Sequence, residues 1–162
     1  AGDTIGLYGQ SLGLPLSEAK HFTSYTLIGM VVGYVVGIVA IPRYISQQRA
    51  LAASAVLGVV LTVAATVLPA KASILCIALL GLANALVWPA IWPLAINGLG
   101  RHTKTGSALL IMAIAGGAIL PLVYGQLAEE PGIGHQQAYW MMVPCYLFIL
   151  WYGVKGYRRI SW

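Results

Sequence analysis

Asn84, Trp88 and Trp92 recur every fourth residue, so on a continuous helix they form one stripe. Amide groups bind hydroxyls and indoles stack on C–H faces, so this combination suits a carbohydrate in a cavity. The same stripe also reads as packing, with tryptophans in a core and Asn84 bonded across to a neighbouring helix. Asp3 and Gln10 stand seven residues apart, two helical turns on one face. A carboxylate at depth is costly, so Asp3 is read either as a ligand for a substrate hydroxyl or coupling cation, or as an acid paired within a bundle. Gln126 is a further candidate for a cavity wall, with headgroup contact as its alternative. The candidate substrate-binding set is therefore Asp3, Gln10, Asn84, Trp88, Trp92 and Gln126.

The elements that would position these groups are set by composition. The chain is 59% hydrophobic and 8% charged over 162 residues, against about 25% charged in soluble domains. An exterior so poor in charge must itself be apolar, which lipid permits and water does not. A span needs about 20 apolar residues, so the length allows at most six helices and no soluble domain. Spans are expected at about 22–41, 50–68, 73–97, 105–128 and 137–154, with 1–15 as a partial one, in a single unit over 1–162. The opening Ala1-Gly2-Asp3 has no initiator Met and no basic leader, so the chain is expected to be a piece of something longer.

Within these spans the sequence differs in kind. Gly29, Gly33 and Gly37 share a helical face that a neighbouring helix can approach closely. Pro89 and Pro93 interrupt the 73–97 span, which is tolerated where neighbours or a water-lined cavity satisfy the freed carbonyls. Gly116-Gly117 and Pro121 break the next one and read as a hinge or packing site.

Charge fixes an orientation. Arg43, Arg49, Arg101, Lys104, Lys155, Arg158 and Arg159 alternate with ends that carry only Lys20 and Lys71 beside Glu18, Glu129 and Glu130. The first group is expected to be cytoplasmic, with the C-terminus inside.

Several classes of chemistry are excluded. The basic residues are scattered at span ends rather than gathered on a stripe, so nucleic acid is not an expected partner. His21, His102 and His135 are far apart in the topology, and Cys76 and Cys145 lie in apolar stretches, so neither a metal site nor a cofactor is expected. No nucleophile elbow or HExxH motif occurs, so there is no catalytic set and no enzyme is expected.

Three stretches resemble the fucose/glucose-galactose permease branch of the major facilitator superfamily: residues 2–10 (GDTIGLYGQ), 82–95 (LANALVWPAIWPLA) and 116–125 (GGAILPLVYG). The resemblance implies an all-α membrane protein, about five and a half transmembrane helices forming the C-terminal six-helix bundle of a twelve-helix transporter whose N-terminal bundle is missing here. It further implies sugar uptake of the fucose, glucose or galactose type across a bacterial cytoplasmic (inner) membrane, coupled to proton or sodium symport. Asp3, Gln10, Asn84 and Trp88 would then line a central cavity between two bundles that rock about the substrate. The coupling acids of the family belong to the N-terminal half, so Asp3 does not inherit their role. Two alternatives stay open: a small structural or channel subunit oligomerising through the Gly29-Gly33-Gly37 face, and a permease for another neutral polar solute.

Overall fold

A computed structural model of the chain describes residues 4–13, 15–41 and 43–159, with side chains for all of these except 16–20 and 158–159. Among the described residues every regular element is helical: α1 (Ile5–Ser11), α2 (Leu16–Ala40), α3 (Gln47–Val67), α4 (Ala70–Ala85), α5 (Val87–Ile96), α6 (Thr103–Met112), α7 (Gly116–Glu129), α8 (Gly134–Gln137) and α9 (Met142–Val154). Short 3-10 turns join α5 to α6, α6 to α7 and α8 to α9. Proline sets two of the starts. Pro15 and Pro69 stand in extended conformation just ahead of α2 and α4, where their fixed φ suits the entry to a helix.

Among the described residues four stretches are long and apolar enough to cross a membrane: His21–Ala40, Gln47–Val67, Ala70–Ile96 and Gly100–Glu129. At 1.5 Å per residue the 27 residues of Ala70–Ile96 reach about 40 Å, more than the roughly 30 Å of a hydrocarbon core, so this one must tilt or kink. It kinks. Helix α4 ends at Ala85 and α5 begins at Val87, with Leu86 as a turn between them. Pro89 explains the position: it has no N–H for the Ala85 carbonyl, and its ring crowds that same carbonyl.

What is buried and what is exposed are inverted relative to a water-soluble fold. Leu27, Ile28, Val31, Val32, Val35, Val36, Ile38 and Val39 of α2 are all more than half exposed. Much of the interior is built instead from alanines (50, 55, 65, 78, 83, 85 and 90) and from Tyr8, Tyr124, Tyr139 and Tyr146. Large aliphatics outward and small residues at helix contacts is the arrangement a bilayer selects.

Helix α2 runs parallel to α4, and glycine makes that pairing close. A Cβ at Gly33 would lie 2.5 Å from the Ala85 Cβ, and one at Gly37 would fall on the Leu86 side chain. Gly29 faces the backbone of Ala78 and Leu82. The glycine face is thus filled from within the chain. Beyond the break, α5 leaves a crevice of about 310 Å³ against Tyr34, Gly37, Ile38 and Ile41.

Helix α3 runs antiparallel to both α4–α5 and α9. Ala65 meets Ser73 at one end, while Leu51 packs with Ala90 and Leu94 and lies against Gly153 at the other. This topology gathers Arg43, Arg49, Arg101, Lys104 and Lys155 at the end where Tyr157 bonds Gln48. Lys71, Glu129 and Glu130 fall at the opposite end. Helix α6 contributes no buried residue and α7 only Tyr124 and Ala128, so this pair hangs on the bundle chiefly by its last turns.

Candidate functional site

The polar groups inside the bundle concentrate at its acidic end, around α1. Tyr8 donates its hydroxyl to Ser73 Oγ at 3.0 Å, and Ser73 donates in turn to the Ala65 carbonyl at 2.5 Å. Thr4 Oγ1 and the Tyr139 hydroxyl lie 2.9 Å apart in a hydrogen bond, and Tyr124 donates to the His135 carbonyl at 3.0 Å. The Tyr139 ring lies between two others, meeting Tyr8 edge-on at 5.8 Å between centroids and Tyr124 at a tilt at 4.8 Å. Two glutamines close the end of α3. Gln136 Nε2 donates to the carbonyls of Ala65 and Leu68 at 2.9 and 2.8 Å, and Gln137 Nε2 to Thr66 at 3.3 Å, satisfying acceptors that a helix C-terminus leaves open.

Below this network lies a cavity of about 210 Å³ bounded by Thr4, Asn84 of α4, Leu120, Pro121 and Tyr124 of α7, Tyr139, and one face of α9 from Met142 to Ile149. Asn84 is held by Tyr146, whose hydroxyl donates to Oδ1 at 2.8 Å. Gly58 of α3 makes this possible. A Cβ there would fall on the ring carbons of Tyr146, so only glycine admits the ring at that depth. The remaining wall is apolar, with Met141, Met142, Cys145 and Ile149 on it. Several hydroxyls of a hexose sealed there would lack partners, each at a cost of about 1–3 kcal/mol. The cavity is therefore poorly matched to a sugar.

The six candidate residues are not brought together. Asn84 lines this cavity, whereas Trp88 and Trp92 lie past the Leu86 break and pair with each other at 5.6 Å between ring centroids. The interrupted helix separates a stripe that a continuous one would keep in line. Trp88 is 41% exposed, and Gln10 is exposed near the end of α1. Gln126 is exposed and borders an open depression with Glu129, Glu130 and Pro131. Asp3 lies outside the described residues. Sequence reasoning missed Tyr146, Gly58 and Gln136. A glycine alone in the Ala/Val/Leu run of α3 and a Gln-Gln pair opening the last helical stretch were the available signals.

The fold and burial pattern define an all-α, multi-pass membrane protein. No protein-family model matches the chain, and no solved structure does. Among curated proteins it is 42% identical over 147 residues to a glucose/galactose transporter of Brucella abortus, covering 89% of this chain and 34% of the relative. It is 30% identical over 153 residues to a putative glucose/galactose transporter of Helicobacter pylori, covering 91% of this chain and 37% of the relative. An L-fucose-proton symporter of Escherichia coli is 26% identical over 120 residues, covering 74% of this chain and 27% of that protein. The chain belongs to the fucose/glucose-galactose permease family. It spans about a third of the length of these curated relatives.

Proposed function

We propose that this chain is the C-terminal bundle of a cation-coupled sugar symporter, working with an N-terminal bundle in the cytoplasmic membrane of a bacterium. The observation that carries the reading is the 42% identity, over nearly the whole chain, to a protein named for glucose and galactose transport. Coupling to a cation is supported by the E. coli relative, which is named a proton symporter. A cytoplasmic C-terminus is supported by the gathering of five described basic residues at the end of the bundle where Tyr157 lies.

Of the candidate ligands, Gln10 and Trp88 keep their side chains open, and we assign sugar contact to them, with Trp92 backing Trp88. Gln126 stands at the acidic mouth, where it meets sugar on entry. Asp3 remains a candidate from its sequence position alone. Asn84, tied to Tyr146 and facing an apolar space, is not assigned to the sugar. The rival reading, a subunit that oligomerises through its glycine face, loses support because α4 already fills that face.

The test is uptake of labelled D-glucose, D-galactose and L-fucose by the full-length protein in proteoliposomes, under an imposed proton or sodium gradient. At least one sugar should accumulate against its gradient and stop when the ion gradient is collapsed. Trp88→Ala should raise the half-saturating concentration at least tenfold. Folded, reconstituted protein that accumulates none of the three would end the reading.

A further inference from the structure

We propose that the space between α4, α7 and α9 is a binding site of its own, for an uncharged molecule the size of one aromatic ring that carries a single hydrogen-bond acceptor. The donor is Asn84. Tyr146 occupies Oδ1, and Nδ2 has no partner among the described residues. No side-chain nitrogen or oxygen among those residues is both sealed from open space and unpaired, so the Asn84 amide nitrogen keeps accessible surface, and Asn84 borders this space. The direction of the amide is fixed, because Tyr146 is itself buried and its ring is laid against Gly58.

The rest of the wall sets the ligand's character. The hydroxyls of Tyr124 and Tyr139 are engaged with the His135 carbonyl and with Thr4, so what they turn to the space is largely ring. No Arg, Lys, Asp or Glu among the described residues borders it, which leaves a charged ligand without a counter-ion. A polyol would leave hydroxyls unpartnered. An apolar cavity of about 150 Å³ is enough for benzene, and the 210 Å³ here admit a ring with one small substituent. The space opens beside Leu120, a bordering residue that is itself exposed. A ligand wedged there joins α7, whose packing on the bundle is otherwise concentrated at Tyr124, Leu127 and Ala128, to α9. The inference does not rest on the sugar reading.

Cys145 borders the space and serves as its reporter. The full-length protein in nanodiscs is treated with N-ethylmaleimide, and alkylation of Cys145 and Cys76 is followed by peptide mass spectrometry. Acetophenone, a ring with one carbonyl, should slow alkylation of Cys145 at least fivefold and saturably, while Cys76 is unchanged. Toluene, the same ring without an acceptor, should need about ten times the concentration, and D-glucose should not protect. In Asn84→Leu the advantage of acetophenone over toluene should vanish. Should that variant fail to fold, Tyr146→Phe keeps the ring on Gly58 but frees the amide, and should cut the advantage at least threefold. Absence of protection, an undiminished advantage in both variants, or protection of Cys145 by glucose would each overturn the proposal. The last result would instead place the sugar in this space, whereas failure of sugar uptake in proteoliposomes leaves the Cys145 result untouched.

Discussion

Gly81 of α4 and Thr26 of α2 touch backbone to backbone, so closely that a Cβ at position 81 would land on the Thr26 carbonyl oxygen. A backbone atom cannot rotate away as the end of a flexible side chain can. The contact therefore sets the distance between the two helices, and Gly29 and Gly33 continue it toward the kink.

Gly81→Val should push α2 from α4 and destabilise the bundle by about 1–3 kcal/mol, the range for overpacking. Gly117→Ala is the matched control, because nothing lies within 4 Å of a Cβ there. Thermal unfolding in detergent should show a lower midpoint for the first and a shift within about 0.5 kcal/mol for the second.

Removing the Tyr8 hydroxyl by Tyr8→Phe leaves Ser73 able to donate to Ala65 and should cost about 1 kcal/mol. Ser73→Ala strands the buried Tyr8 hydroxyl as well and should cost more. A double-mutant cycle by thermal denaturation should then give a coupling between positions 8 and 73 well above the scatter of independent sites, about 0.3–0.5 kcal/mol.

Gln136→Ala releases the Leu68 carbonyl and leaves the Ala65 carbonyl to Ser73 alone. The last turn of α3 should fray. Hydrogen exchange read by mass spectrometry should quicken in peptides covering 64–68 and stay unchanged around Leu51, at the far end of the same helix.

Pro89→Ala supplies an N–H for the Ala85 carbonyl and should draw α4 and α5 into one helix, adding about 1 kcal/mol of stability. If the kink is needed for substrate passage, uptake velocity in proteoliposomes should fall severalfold as the unfolding midpoint rises. Unchanged velocity at raised stability would assign the kink to packing alone.

The membrane class was legible because it depends on composition and on the length of apolar runs, and neither needs a contact map. Proline likewise announced an interruption of the Ala70–Ile96 stretch, since its missing N–H is a local property. The candidate stripe was less legible. Asn84, Trp88 and Trp92 keep helical register only along an unbroken helix, and the break at Leu86 falls between the first and the other two. The partners of Asn84 and of the α3 terminus were hidden for a different reason: Tyr146 is 62 residues from Asn84, and Gln136 is 71 from Ala65. Gly58 sat in a stretch with nothing else to mark it, and its role is visible only once the Tyr146 ring lies on it.

One serine hydroxyl, at position 73, receives from α1 and gives to α3 while belonging to α4. It acts as a keystone: these three elements cannot slide past one another without breaking a bond that no water replaces. Their shared end is consequently a fixed abutment, and any stroke the bundle makes falls to the lever arms attached to it, the length beyond Leu86 and the loosely held run from Thr103 to Glu129.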